Sequence, residues 1–259
     1  MHKWLISLFT LLFLACEPSQ KPVSTVVKLT EPISDAIAEY QAEHPDNGKK
    51  SISKGTEGKG SLVNGKLFPF SGRNFRYFDT GSYLAGRAFC HDRVVKAMLG
   101  TYKQLESKES NRVYRVMECS HEQGGKLFPH RTHQNGLSVD LMIPLKRNGK
   151  PYFGLDDKGK AHYFLDFDQQ GRWEKDTAIQ VDFDLLCSYI LAIHSNAAKH
   201  GLKVKKVILN TFLHDELFQT KNGFRLKESR IYFAQKLSKE INALHDDHIH
   251  VDFEPIAQP

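Results

Sequence analysis

The Asn135-Gly136 dipeptide and the residues after it constrain this chain more than any other stretch. Asn-Gly reverses a backbone. Past it, Leu137, Val139, Leu141 and Ile143 alternate with Ser138, Asp140 and Met142, the period-two pattern of a half-buried strand. Asp140 therefore points away from the aliphatic face. His133 lies just before the turn, so its imidazole and the Asp140 carboxylate can converge on one point. Together they offer the mixed nitrogen and oxygen donors that zinc accepts.

The other elements follow from the same kind of reading. An aromatic entry at Phe68, Phe70, Phe75, Tyr77 and Phe78 opens the folded part near Leu67. Apolar positions from Leu84 to Leu105 return on one helical stripe, and Arg112 to Cys119 alternates as a strand leading to Gly124-Gly125. The runs from Lys150 to Gly154 and Ala161 to Phe167 read as a peripheral hairpin insertion. From the N-cap candidate Asp184 to Gly201 the spacing predicts a strongly apolar helix behind the sheet. Lys203 to Asn210 reads as a strand, Ser229 to Leu244 as an amphipathic helix, and His248 to Phe253 as a closing strand. Strands and helices mix without regular β-α-β alternation. The expected class is α+β: a small antiparallel sheet carrying the site, packed against helices, with peripheral loops and a hairpin insertion.

With 259 residues, 40% of them hydrophobic and 25% charged, the chain is ordinary globular material, enough for one compact domain plus a tail. Lys3 followed by the apolar run Trp4 to Ala15 is too short for a membrane span and right for the core of a secretory signal, so residues 1–15 are set apart from the fold. The run ends Phe13-Leu14-Ala15-Cys16, which resembles a bacterial lipoprotein signal with Cys16 as the lipidated residue; a plain cleaved signal is the alternative. Residues 16–66 are polar and rich in proline and glycine, and read as a flexible tether with one short helix from Ser34 to Glu43. Residues 67–259 form the domain. An exported chain with Cys90, Cys119 and Cys187 left over would hold at most one disulfide among them. The formal charge of +6 suits an anionic polymer or surface without selecting one. No phosphate loop, serine nucleophile motif or nucleic-acid module is present.

The second informative stretch is His245-Asp-Asp-His248-Ile-His250-Val-Asp-Phe253. In a strand, residues two apart share a face roughly 6–7 Å apart, so His248 and His250 point together while Ile249 and Val251 enter the core. One imidazole can bind a metal while the other stands within reach of its water. These motifs resemble the LAS metallopeptidases, and within them the penicillin-insensitive murein endopeptidases. The His-x6-Asp of that group appears as His133 to Asp140 and its His-x-His as His248 to His250. The extra histidines of the endopeptidases appear as His130 and His245. Gly124-Gly125 and His133-Gln134-x-Gly136-Leu137 also read like them, and the likeness spans about Phe75 to Phe253. Ser138 departs from it, standing where those enzymes often carry Asp, and their cysteine-rich C-terminal region is missing.

The resemblance implies one zinc ion held by His133, Asp140 and His250, with His130 a further candidate ligand. It implies His248 as general base, with His245 beside it in the catalytic set. The implied protein is an exported, periplasmic murein endopeptidase, lipid-anchored if Cys16 is modified, that hydrolyses peptide cross-links of peptidoglycan by attack of a zinc-bound water. Its partners would be peptidoglycan peptide stems, with membrane contact only through the anchor and no nucleic acid. Two alternatives share the scaffold: a D-Ala-D-Ala carboxypeptidase or dipeptidase, and a non-catalytic wall-binding module. The remaining polar candidates read as surface or satisfied core residues: His121, Glu122, His162, His194, His200 and His214. Asp246 and Asp247 read as a solvated acidic turn, and Arg87 and Arg131 as surface residues that could meet an anionic stem.

Overall fold

The computed structural model of the protein describes residues 34–107 and 111–256. The expected signal at 1–15 and Cys16 lie outside the described residues. Among those described, no helix is long and apolar enough to cross a membrane.

The first described elements correct the tether. The short helix expected from Ser34 to Glu43 forms as α1 (Asp35–Glu43), but it packs on the domain, and the hairpin of β1 (Ile52–Thr56) and β2 (Lys59–Val63) is regular structure where a tether was expected. Ile37 and Leu62 are buried, and Tyr40 lies edge-on to Tyr83 with ring centroids 5.7 Å apart. Three apolar side chains thus offset ordering in a segment whose mean composition is polar.

The chain continues through β3 (Lys66–Leu67), β4 (Phe75–Tyr77), α2 (Thr80–Leu84) and β5 (Phe89–Cys90) to α3 (Asp92–Glu106). The helix expected from Leu84 thus starts at Asp92. Phe89 and Cys90 pair with Leu67 and Lys66 instead, and Nδ1 of His91 caps the helix by accepting from the Arg93 N–H. Strand β6 (Tyr114–Val116) is shorter than its alternation suggested, and β7 (Ser138–Met142) follows the Asn-Gly turn. The expected hairpin is displaced. Its pairs form between β8 (Leu145–Arg147) and β9 (Lys150–Tyr152), and between β10 (Arg172–Trp173) and β11 (Asp176–Val181), all in one four-stranded antiparallel sheet. Between them, Gly159–Phe164 is a 3-10 turn.

Helix α4 (Phe183–Lys199) is capped by Asp182 rather than Asp184 and leads into β12 (Leu202–Ile208). Two helices absent from the sequence reading follow, α5 (His214–Gln219) and α6 (Lys221–Glu228), broken by Thr220, whose side chain caps α6. The helix expected over Ser229 to Leu244 shrinks to α7 (Lys239–Ala243). Phe233 instead pairs in parallel with Val207, which adds an extended segment beside β12. Strand β13 (His248–Pro255) closes the domain.

The class is α+β, and the central sheet runs β12-β13-β7-β6-β4, antiparallel except for the parallel pair β4–β6. Helices α3 and α4 cover its apolar face. Gly100 permits their close approach, since a Cβ there would meet Asn196 Oδ1 at 2.9 Å. Tyr102 and Tyr189 join the two helices through their hydroxyls at 2.6 Å. Cys90, Cys119 and Cys187 are buried free thiols, so no disulfide staples the core.

Register decides what the sheet presents on each side. Strand β13 pairs with β7 so that Val251 faces Val139 and Ile249 faces Leu141, all fully buried against the helices. Each such side chain contributes roughly 1.5–3 kcal/mol on leaving water. The alternate positions form the opposite face. There Asp252 faces Ser138, His250 faces Asp140 and His248 faces Met142. One ladder therefore carries a wholly apolar row on one side and most of the chemistry on the other.

Candidate metal centre

Asp140 is the centre of the polar face. It is buried, and two imidazoles and a phenol approach its carboxylate closely. Nδ1 of His250 donates to Oδ1 at 2.9 Å, Nε2 of His133 lies 3.2 Å from the same oxygen, and the Tyr163 hydroxyl donates to Oδ2 at 3.3 Å. His130 adds Nδ1 at 3.5 Å from Oδ2. Burial opposes its charge, but His133 and His250 outweigh that and hold Asp140 ionised, well below the ordinary carboxylate range.

The loop before β7 holds the two histidines of the first motif. Gly125 N–H donates to the Gln134 carbonyl, and Gln134 N–H donates to the Glu57 carbonyl of the β1–β2 hairpin. Ser53 Oγ donates to the Asn135 carbonyl. The segment expected as a tether thus braces the metal loop. His133 itself sits at φ +67, a backbone region that a non-glycine residue enters at a cost. Its ring is fully buried and neither nitrogen has a hydrogen-bond partner, because Nε2 is out of line with Asp140. Burial lowers its proton affinity, so the ring tends to the neutral form a metal requires.

An orphaned buried imidazole costs free energy unless something else takes its lone pair. That position, against a buried ionised carboxylate, fits a divalent cation with nitrogen and oxygen preferences. His130, His133 and Asp140 form a group that could hold a metal ion, with one donor atom from each lying within 4.8 Å of the others. His250 packs 4.7 Å from His133 by ring centroids and shares Asp140 with it.

Three of the surrounding imidazoles rest on buried carboxylates. His130 Nε2 donates to Glu118 Oε2 at 2.5 Å, and Glu118 is gripped by Nε and Nη2 of Arg87, each at 2.6 Å, and by Ser82 at 2.8 Å. Burial works against that carboxylate's charge, but His130 and Arg87 prevail and bring it to about 2. His250 Nε2 donates to Asp252 Oδ1 at 2.7 Å. His248 Nδ1 lies 2.5 Å from Asp247 Oδ1. Buried as it is, His248 is pushed down to about 4 and stays neutral near pH 7. His245 stacks 4.8 Å from His248, gives Nδ1 to the Ile241 carbonyl at 2.6 Å, and is pushed down to about 3 by burial and by the neighbouring His248.

All six sequence candidates therefore meet in one place. His130, His245 and Tyr163 are half-buried and form its rim, while His133, Asp140, His248 and His250 are closed off. Arg87 does not face a ligand; Glu118 occupies it. Asp246 and Asp247 are not a solvated turn. Both are buried, with Asp246 Oδ2 accepting from Phe167 N–H at 2.9 Å. His162 is a satisfied core residue, its nitrogens on the Leu155 and Asp247 carbonyls. Arg131 is exposed.

Sequence reasoning passed over Glu118, Tyr163 and Asp252. Asp252 had a signal, being the third member of the alternation His248, His250, Asp252 on one strand face. Tyr163 had none, since a 3-10 turn carries no period that points a side chain at a distant strand. The chain matches none of the protein-family models and none of the curated proteins against which it was compared.

Proposed function

We propose that the protein is an exported zinc-dependent murein endopeptidase that hydrolyses peptide cross-links of peptidoglycan. The observation that carries this is the in-register pairing of Asp140 with His250 beside the orphaned ring of His133, with a neutral His248 one alternate position away. The resemblance of both motifs to the murein endopeptidases and the export signal in the sequence supply the substrate class. His133, Asp140 and His250 would hold the zinc. Bound there, zinc would supply Lewis acidity, lowering the pKa of a water to about 7 and polarising a peptide carbonyl.

The chain's own residues supply the rest. His248 is tethered through Nδ1 to Asp247, whose carboxyl burial pushes up to about 8; in the tautomer with the ring proton on Nδ1, Nε2 would accept a proton and return it to the leaving amine. Tyr163, at the rim with its ring 4.9 Å from His248, brings a hydroxyl to the side where substrate enters. Burial of the remaining groups keeps bulk water from competing.

The position of His130 favours a second reading. If His130 joins the other three ligands, four protein donors close the coordination shell, as in structural sites, and the domain binds wall peptides without cutting them. Digestion of purified murein with wild type and His250→Ala separates these readings. Endopeptidase activity predicts loss of cross-linked dimers in wild type alone. Free D-alanine would mark a carboxypeptidase, and tight binding without hydrolysis a recognition module. Equal digestion by both proteins overturns the proposal.

A further inference from the structure

We propose that Asp252 is the positioning residue for His250, held in place by Ser138 and Lys206 of the two flanking strands. This rests on the metal-centre reading above. The register places two adjacent rows across three strands. In one, Ile208, His250 and Asp140 stand side by side; in the next, Lys206, Asp252 and Ser138 do. The first row contains two of the proposed ligands. The second contains no ligand, yet its members converge on the one carboxylate behind His250.

The partners of Asp252 come from within this row or from His250, by hydrogen bonds at Oδ1 and by an ion pair alone at Oδ2. Oδ1 accepts from His250 Nε2 at 2.7 Å and from Ser138 Oγ at 2.6 Å, and Oδ2 pairs with Lys206 Nζ at 2.9 Å. Asp252 is fully buried. Held at both oxygens, the carboxylate cannot swing toward Asp140 and act as a ligand itself. What it does is fix the proton on Nε2 of His250. The other nitrogen, Nδ1, gives its proton to Asp140 in the metal-free chain and is thereby the one a metal would take over in exchange for that proton. A carboxylate on the outer nitrogen also makes the inner one a stronger donor.

A bulge in β12 sets which lysine meets Asp252 and keeps Val207, not Lys206, opposite Val251. Val204 faces Phe253 and Lys206 faces Asp252, so Lys205 and Lys206 together oppose one residue of β13. Without that extra residue Lys205 would take the place opposite Asp252, and Lys206 would fall opposite Val251, on the apolar face. Bulges re-aim side chains in this way beside functional sites. Ser138 completes the arrangement from β7. Its small side chain leaves room for the Asp252 carboxylate opposite it and donates to that carboxylate.

Zinc affinity measured by chelator competition on the full chain tests this, together with NMR of the His250 Nε2–H proton with and without zinc. The expected result for Asp252→Asn is a rise in zinc Kd of roughly 10- to 100-fold in a protein with wild-type circular dichroism. Asp252→Ala should in addition lose the exchange-protected Nε2–H signal that wild type shows in both metal states. Lys206→Met, altering a partly exposed residue, should raise Kd in the same direction by less, and serves if the Asp252 variants fail to fold. An unchanged Kd in all three variants, or a protected Nε2–H signal that survives in Asp252→Ala, overturns the role of Asp252. A wild type that binds no zinc overturns instead the metal reading on which it rests.

Discussion

His133 combines a left-handed backbone at φ +67 with a buried ring whose nitrogens have no hydrogen bonds. Both are local costs in a metal-free chain, and both are what a preformed ligand looks like. His133→Asn keeps a residue that tolerates that backbone while removing the imidazole. It should leave metal-free stability close to wild type but weaken zinc binding by more than the roughly 10–100-fold typical of losing an outer partner; isothermal titration and urea melts on the same samples check it. Asp156 provides a prediction away from the site. Burial, partly offset by Arg115 and Arg112, pushes its carboxyl up to about 7. The folded state then keeps a proton that the unfolded chain has already released, so this contribution is full below about pH 4 and lost as pH rises through about 7. Asp156→Asn, neutral throughout, should match wild type near pH 4 and exceed it by a few kcal/mol at pH 8, read from urea midpoints at both pH values. At this scale spacing made His248 and His250 legible on one strand and His133 with Asp140 about one turn, whereas His130 and His245 came from the resemblance alone. The sequence reading missed Glu118 because a lone carboxylate looks like surface until the fold puts it against a ring, and passed over Asp252 although the alternation of β13 placed it on the face of His248 and His250.

Among the elements, those with an unbroken apolar period were legible: β7, α4, β12 and β13 stand within a few residues of where alternation or helical spacing puts them. The errors have a common physical origin. Where two backbone pairings compete, tertiary hydrogen bonds decide. Phe89 and Cys90 leave the helical stripe to pair with β3, and Tyr232 and Ala234 exchange hydrogen bonds with Val207 instead of continuing a helix. The loop before β7 is held in a similar way. Gly124, at φ +70, lies so close to the Gln134 carbonyl that a Cβ would approach that oxygen to 2.2 Å. Gly124→Ala should therefore displace the segment carrying His133. We expect a stability loss on the order of 1–3 kcal/mol together with weaker zinc binding, measured by thermal melts and chelator competition. A variant that loses stability but keeps zinc affinity would show that the loop moves without its ligand.

For the whole molecule, the largest departure from the sequence reading is the boundary of the domain. Composition marks residues 16–66 as a tether, because mean polarity cannot register three well-placed apolar side chains or backbone hydrogen bonds to a distant loop. Ile37 and Tyr40 pack on the core, Leu62 lies against the Gly136 turn, and Ser53 and Glu57 brace the loop of His133. A chain beginning at Leu67 should melt well below one beginning at Ser34 and bind zinc more weakly. Equal melting of the two would return the segment to the status of a tether. The central claim concerns the metal. Anomalous diffraction at the zinc edge from crystals grown with one equivalent of zinc tests it most directly. The account predicts a single strong peak within about 2.0–2.2 Å of His133, Asp140 and His250. No peak among these residues, or a peak held by other side chains, would contradict it.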